Sequence, residues 1–194
     1  LDLAAPPPAD LSGLFGAKIS SVRLEIGFGG GEHLLHTAGV DPHTGFIGVE
    51  PFVNGMAKMM TAVTRTPLAN LRVYDDDATQ LLDWLPPVSL DGIDLLYPDP
   101  WPKKRHWKRR FVQDDNLKRL ARLLKSGGEF RFATDIPGYA EYVLMRILRS
   151  GDFVWTAARA DDWRKPWPRF VRTRYEAKAI REGRTPAYFI FRKV

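Results

Sequence analysis

The sequence predicts an α/β fold, a mostly parallel sheet with helices on both faces, and three observations predict it. Short runs of β-branched and aromatic residues alternate with longer segments of helical period, so strands and helices follow one another repeatedly. The first strand runs into a glycine-rich turn. Acidic residues recur just past the strands, at the edge where open parallel sheets bind ligands. With 194 residues, 44% of them hydrophobic, the chain is large enough for one domain with a sizeable core.

Each element has a local reason. Residues 1–16, "LDLAAPPPADLSGLFG", form a proline-rich lead-in read as irregular and set apart from the fold, leaving 17–194 as a single domain. "SVRLEI", "TGFIGVE", "NLRVYD", "DGIDLLY" and "GEFRFAT" read as strands bounded by Gly, Asp or Pro. Helical patterns lie between them: "PFVNGMAKMMTAVTR", "RRFVQDDNLKRLARLLKS", stopped by Gly127 and Gly128, and "PGYAEYVLMRILRS". The tail segments "FVWTAA" and "PAYFIFRKV" add a final antiparallel pair at the sheet edge.

Composition excludes several chemistries. There is no cysteine, which removes disulfides, thiolate metal sites and cysteine nucleophiles, and suits a cytoplasmic protein. No stretch approaches the roughly 20 apolar residues of a membrane span, so no membrane partner is expected. Lys and Arg total 29 against 23 Asp and Glu, a net charge of +6 that favours a polyanionic partner. His33 and His36 share a helix face and read as solvent-exposed; without a third ligand of suitable spacing, no metal site is expected.

Strand one ends in "LEIGFGGGEH", which places Glu25 beside Gly27, Gly29 and Gly31, a turn that lets a ligand approach bare backbone. A dinucleotide fingerprint needs its third glycine at 32, and that residue is Glu32. Strand two ends in Glu50, where an acid in this type of sheet takes both hydroxyls of a ribose. From Leu24 to Ala57 there is no lysine or arginine, whereas Glu25, Glu32, Asp41 and Glu50 are acidic. Such a pocket disfavours a pyrophosphate and suits S-adenosylmethionine, a cationic nucleoside without phosphate. The competing reading is a set of turn glycines and solvated acids. After strand three, Asp77 in "DDDATQLL" is a candidate for the adenine amino group and equally an ordinary helix N-cap.

Strand four delivers "YPDPWPKKRHWKRR", residues 97–110. Asp99 is clamped between Pro98 and Pro100, whose fixed φ angles hold the loop, and Trp101 offers a stacking face to a base. The cations that follow read either as a solvated face or as a grip on a polyanion. A tight turn with a core tryptophan is the bland alternative for the Pro-Asp-Pro step.

In order along the chain, "LEIGFGGG", "GVEP", "DDA", "YPDPWPKKRHWKRR", "FATD" and "TRYE" resemble the bacterial tRNA (guanine-N7)-methyltransferases, which modify guanine 46 of the variable loop; the likeness runs from about Ser20 to Arg192. The resemblance implies a Rossmann-like class I methyltransferase fold with seven strands. It implies S-adenosylmethionine as cofactor, with Glu25, Glu50, Asp77 and Asp99 lining its pocket, and Asp99 as the catalytic residue. Lys103 and Asp135 are then expected to contact the guanosine, Thr173, Arg174, Tyr175 and Glu176 to close over it, and Arg105, His106, Trp107, Lys108, Arg109 and Arg110 to touch RNA. An N-cap role for Asp135 at the helix opening with Pro137 competes with that contact. The implied partner is tRNA, with the protein a monomer or homodimer. Two departures stand out: Gly30 replaces a residue that is bulkier in most of the family, and "TRYEAKA" lacks the glycine that often follows that motif.

Two other classes compete. An Asp-Pro-aromatic loop after strand four is similar to that of exocyclic-amine methyltransferases, although their motif runs Asp or Asn, Pro, Pro, aromatic and here Trp101 follows Pro100 at once. A non-enzymatic RNA-binding module accounts for the basic run but not for the acidic glycine-rich pocket.

Overall fold

The computed structural model describes residues 1–194. Seven strands form one sheet: β1 (Ser21–Ile26), β2 (Thr44–Val49), β3 (Leu71–Tyr74), β4 (Leu90–Leu96), β5 (Leu124–Thr134), β6 (Phe153–Trp155) and β7 (Ala187–Lys193). Their spatial order is β3-β2-β1-β4-β5-β7-β6, with β7 alone running against the direction of the others. Helices α1 (Glu32–Val40), α2 (Val53–Arg65), α3 (Ala78–Trp84), α4 (Asp114–Leu123) and α5 (Pro137–Ser150) make the crossovers, and the short α6 (Asp161–Arg164) and α7 (Arg174–Arg181) precede β7.

Alternation along β1 sorts the two faces. Val22, Leu24 and Ile26 join Leu81 and Leu82 of α3, Leu117 and Leu120 of α4 and Tyr139 and Val143 of α5 in the larger core. On the other face Leu34 and Ala38 of α1 and Met59 of α2 enclose Phe46 and Leu71 in a smaller one. The terminal pair is antiparallel as expected, but β7 inserts between β5 and β6 rather than lying outermost. Its register explains why: Phe189 and Phe191 pair with Phe132 and Phe130, with ring centroids 6.4 and 6.0 Å apart. Burying each ring contributes roughly 1.5–3 kcal/mol, which an edge position would forfeit in part.

Two expectations need adjustment. The segment 109–126 does not form one helix; α4 starts at Asp114, and Leu124 already pairs with Leu90 of β4. The lead-in contains a 3-10 turn over Leu11–Leu14 and packs on the domain, since Leu11 and Phe15 are buried in the larger core. A Cβ at Gly45 would lie 2.4 Å from the Phe15 ring, so this contact requires glycine.

Candidate active site

The strand order reverses between β1 and β4, and the cleft expected at such a switch point is present beyond their carboxyl ends, with a volume of about 440 Å³. Gly27, Glu50, Phe52, Asp76, Asp77, Tyr97, Asp99 and Tyr175 line it, and no lysine, arginine or histidine does. A larger groove of about 720 Å³ between α4 and α5 lies away from this edge and contains neither the glycine turn nor a strand-end acid.

Gly27, Gly29 and Gly31 all have positive φ, which explains glycine at each. Gly27 lines the cleft with no atom within 4 Å of where a Cβ would stand, so bare backbone faces the open space. Glu50 is buried but addressed to the cleft: the Gly29 amide donates to Oε2 at 2.7 Å and the Phe52 amide to Oε1 at 3.0 Å. Each oxygen keeps a lone pair for a ligand hydroxyl. Asp77 is the N-cap of α3, accepting from the Thr79 amide at 2.7 Å through Oδ1, and it also lines the cleft. Asp77 is thus the cap of α3 and also part of the cleft wall, where Asp76 stands beside it. The glycine backbone, the paired acceptors of Glu50 and the cation-free acidic lining fit S-adenosylmethionine, whose sulfonium and ammonium need no counter-cation.

Glu25 stands elsewhere. It is 4% exposed, does not line the cleft, and binds His33 Nδ1 at 2.7 Å. Burial pushes the Glu25 carboxyl up, against the pull of His33. Burial opposes protonation of His33, but the Glu25 charge and hydrogen bond outweigh it and hold the imidazole above its ordinary value. His33 is thus a core residue, not the solvent-exposed one that its shared face with His36 suggested; only His36 is exposed. Next to this pair Arg23 bonds the buried Asp94 at 2.9 Å. The signal for this polar patch lay in Arg23, Glu25 and Asp94 standing inside otherwise apolar strands.

Asp99 sits on a strained loop. Tyr97 has φ +51° and Trp101 φ +41°, left-handed values that cost aromatic residues energy and that the intervening prolines help maintain. Its carboxylate is exposed at the cleft wall. A 3-10 turn, Lys104–Arg109, follows, and Lys103, Lys104, Arg105, Lys108 and Arg109 are all exposed on it or beside it. Arg109 lies over the Trp101 ring at 4.9 Å, and His106 meets the same ring edge-on. Trp107 is half-buried against Tyr142. Arg110 departs from the exposed position expected of an RNA contact: it is 3% exposed and enclosed by aromatic rings.

The "TRYE" segment opens α7. Thr173 caps the helix, its hydroxyl accepting from the Glu176 amide at 3.2 Å. Arg174 pairs with Glu32 at 2.8 Å, and its guanidinium fills the space that a Cβ on Gly30 would occupy. The unusual glycine at 30 is thereby explained. Tyr175 crosses above Gly29 and forms the cleft rim. Glu176 points inward instead, buried and accepting from Tyr188 Oη at 2.6 Å, so in this arrangement it braces α7 against β7 rather than facing the substrate side. Asp135 is held by Arg184. The N-cap of α5 is Ile136, which removes the capping alternative for Asp135.

Known proteins align with this picture. Residues 20–188 match the family described as "Putative methyltransferase". The tRNA (guanine-N(7)-)-methyltransferases of Mesorhizobium japonicum and Agrobacterium fabrum are 67% and 61% identical over 191 residues, which is 98% of this chain and 82% of each relative. Among solved structures, an antibiotic-related methyltransferase superposes with TM-score 0.68 at 19% identity, covering 95% of this chain and 92% of the other. The 16S rRNA methyltransferase KamB gives 0.62 at 14% identity over 98% and 95%. Fold and cleft together define the class, the α/β fold of the S-adenosylmethionine-dependent methyltransferases. Within it, the chain belongs to the tRNA (guanine-N7)-methyltransferase family.

Proposed function

We propose that this protein methylates N7 of guanine 46 in the variable loop of tRNA, forming 7-methylguanosine in the cytoplasm. The observation that carries the reading is the juxtaposition at Asp99: a clamped, exposed carboxylate on a cation-free acidic cleft, followed by a turn with five exposed cations on it or beside it. Relatives of high identity bear the corresponding name.

Gly27, Glu50, Asp77 and Asp99 hold S-adenosylmethionine, which supplies a methyl group on a sulfonium. Guanine N7 has a lone pair and no proton, so no side chain has to act as base there. Catalysis rests on placement and electrostatics. As N7 bonds to the methyl carbon, the carbon–sulfur bond breaks and S-adenosylhomocysteine leaves as a neutral thioether; the positive charge passes to the purine, where the Asp99 carboxylate stabilises it. Asp99 also accepts from the guanine N1 and N2 hydrogens, which orients the base and disfavours adenine. Lys103 and Asp135 flank the base. Arg105, Lys108 and Arg109 bind phosphates, and Trp101 and His106 give the same turn its aromatic face.

Unmodified tRNA incubated with the protein and methyl-labelled S-adenosylmethionine tests the reaction. The expected product is 7-methylguanosine, identified by mass and by chain cleavage at position 46 after reduction and aniline treatment. Label on an exocyclic amine, or no label with tRNA bound, would overturn it in favour of the other two classes.

A further inference from the structure

Arg110 closes the basic run but turns away from it. Its guanidinium lies over Trp107, Tyr139 and Tyr142 at 4.6, 4.7 and 4.5 Å, and it has no carboxylate partner. A buried cation without an ion pair is costly, and three ring faces offset only part of that cost. A leucine or methionine would fill the same space more cheaply, so the guanidinium itself calls for a reason. Its Nε supplies one, donating to the Pro100 carbonyl at 2.8 Å. That carbonyl stands between Asp99 and Trp101, where the backbone enters the left-handed region. Trp107 and the Arg110 backbone are fixed in turn: the Arg110 amide donates to the Trp107 carbonyl at 3.0 Å, and Gln113 Nε2 donates to the Trp107 and Arg110 carbonyls.

We propose that Arg110 is a positioning residue, which holds the strained Pro100–Trp101 step from inside the basic turn and so fixes the Asp99 carboxylate at the cleft wall. The inference rests on the reading of Asp99 given above. It separates the cations of the run into two kinds: exposed ones that meet a polyanion, and one buried tether that meets the loop. Because α5 supplies Tyr139 and Tyr142, the tether also references the loop to the helix behind it.

Arg110→Met keeps the aliphatic stem and removes both charge and donor; Arg110→Lys keeps a charge over the rings. Three quantities are compared with wild type: the single-turnover methylation rate at saturating S-adenosylmethionine and tRNA, the salt dependence of tRNA binding, and amide exchange across residues 97–109. In that segment the His106 amide is held by the Lys103 carbonyl at 2.8 Å. R110M is expected to be about 10-fold or more slower with an unchanged salt slope and faster exchange, within the ~10²-fold that a misplacement of about 1 Å can cost, and R110K to fall between. A rate within twofold of wild type, or unchanged exchange, overturns the proposal. A salt slope reduced by about 0.7–0.9, the equivalent of one phosphate, overturns it in favour of direct RNA binding. Should R110M fail to fold, R110K decides alone, and a wild-type rate in R110K overturns the tether. Exchange requires no methyl transfer, so an inactive wild type would sink the proposed reaction while leaving the tether to be judged by exchange.

Discussion

The Gly29 amide donates to Glu50 Oε2 at 2.7 Å, so the turn that leaves β1 is tied to the acid that ends β2. One carboxylate thereby holds the glycine turn and, through the Phe52 amide at 3.0 Å, the entry to α2. A Cβ at Gly55 would stand 2.4 Å from the Gly29 carbonyl, so α2 approaches the turn as closely as glycine permits. The cleft wall is built from backbone placed by Glu50.

Glu50→Ala is expected to weaken S-adenosylmethionine binding by roughly 1.5–3 kcal/mol, the range for hydrogen bonds to a charged group. Titration calorimetry on the folded variant measures it. Unchanged affinity would show that Glu50 serves the turn alone.

The exposed cations form a second, separable unit. Replacing Arg105, Lys108 and Arg109 with alanine should lower the magnitude of the log–log salt slope of tRNA binding by roughly 0.7–0.9 for each phosphate no longer neutralised. Cofactor affinity should stay as in wild type, because none of the three lines the cleft. An unaltered slope would make the turn a solvated surface.

The sequence made the first five strands and the strand-end acids legible, because each follows from local pattern: "SVRLEI" is β1 residue for residue, and "PGYAEYVLMRILRS" is α5. What it concealed depends on partners distant in the chain. Arg110 reads as one more cation in a run, and only the Tyr139 and Tyr142 rings on α5 reveal it as buried. Glu176 reads as part of a substrate motif, and Tyr188, twelve residues on in β7, draws it inward. His33 on α1 reads as solvated until Glu25 is seen beneath it, because α1 has a weak apolar stripe and either face could turn to the sheet. β7 inserts between β5 and β6 because its phenylalanines find their match on β5, a pairing that no local signal specifies.

The His33–Glu25 pair has a pH signature. With its folded value above the ordinary ~6.5, His33 contributes stability that is fully present below ~6.5 and is lost as pH rises through the raised folded value. NMR titration of the imidazole should give a midpoint above ~6.5 in wild type, and Glu25→Gln should lower it, since burial is then opposed by the smaller pull of Asp94 and no longer by the Glu25 charge. A wild-type midpoint at or below ~6.5 would contradict the pairing.

The central claim concerns Asp99, and the single-turnover rate of Asp99→Asn at saturating S-adenosylmethionine and tRNA tests it most directly. Asparagine keeps the size but loses the charge and turns one acceptor into a donor. The variant should form 7-methylguanosine about 10²-fold or more slowly than wild type, the scale of removing one preorganised electrostatic interaction. A rate near that of wild type would contradict the account, leaving the carboxylate between Pro98 and Pro100 a feature of the turn rather than of the chemistry.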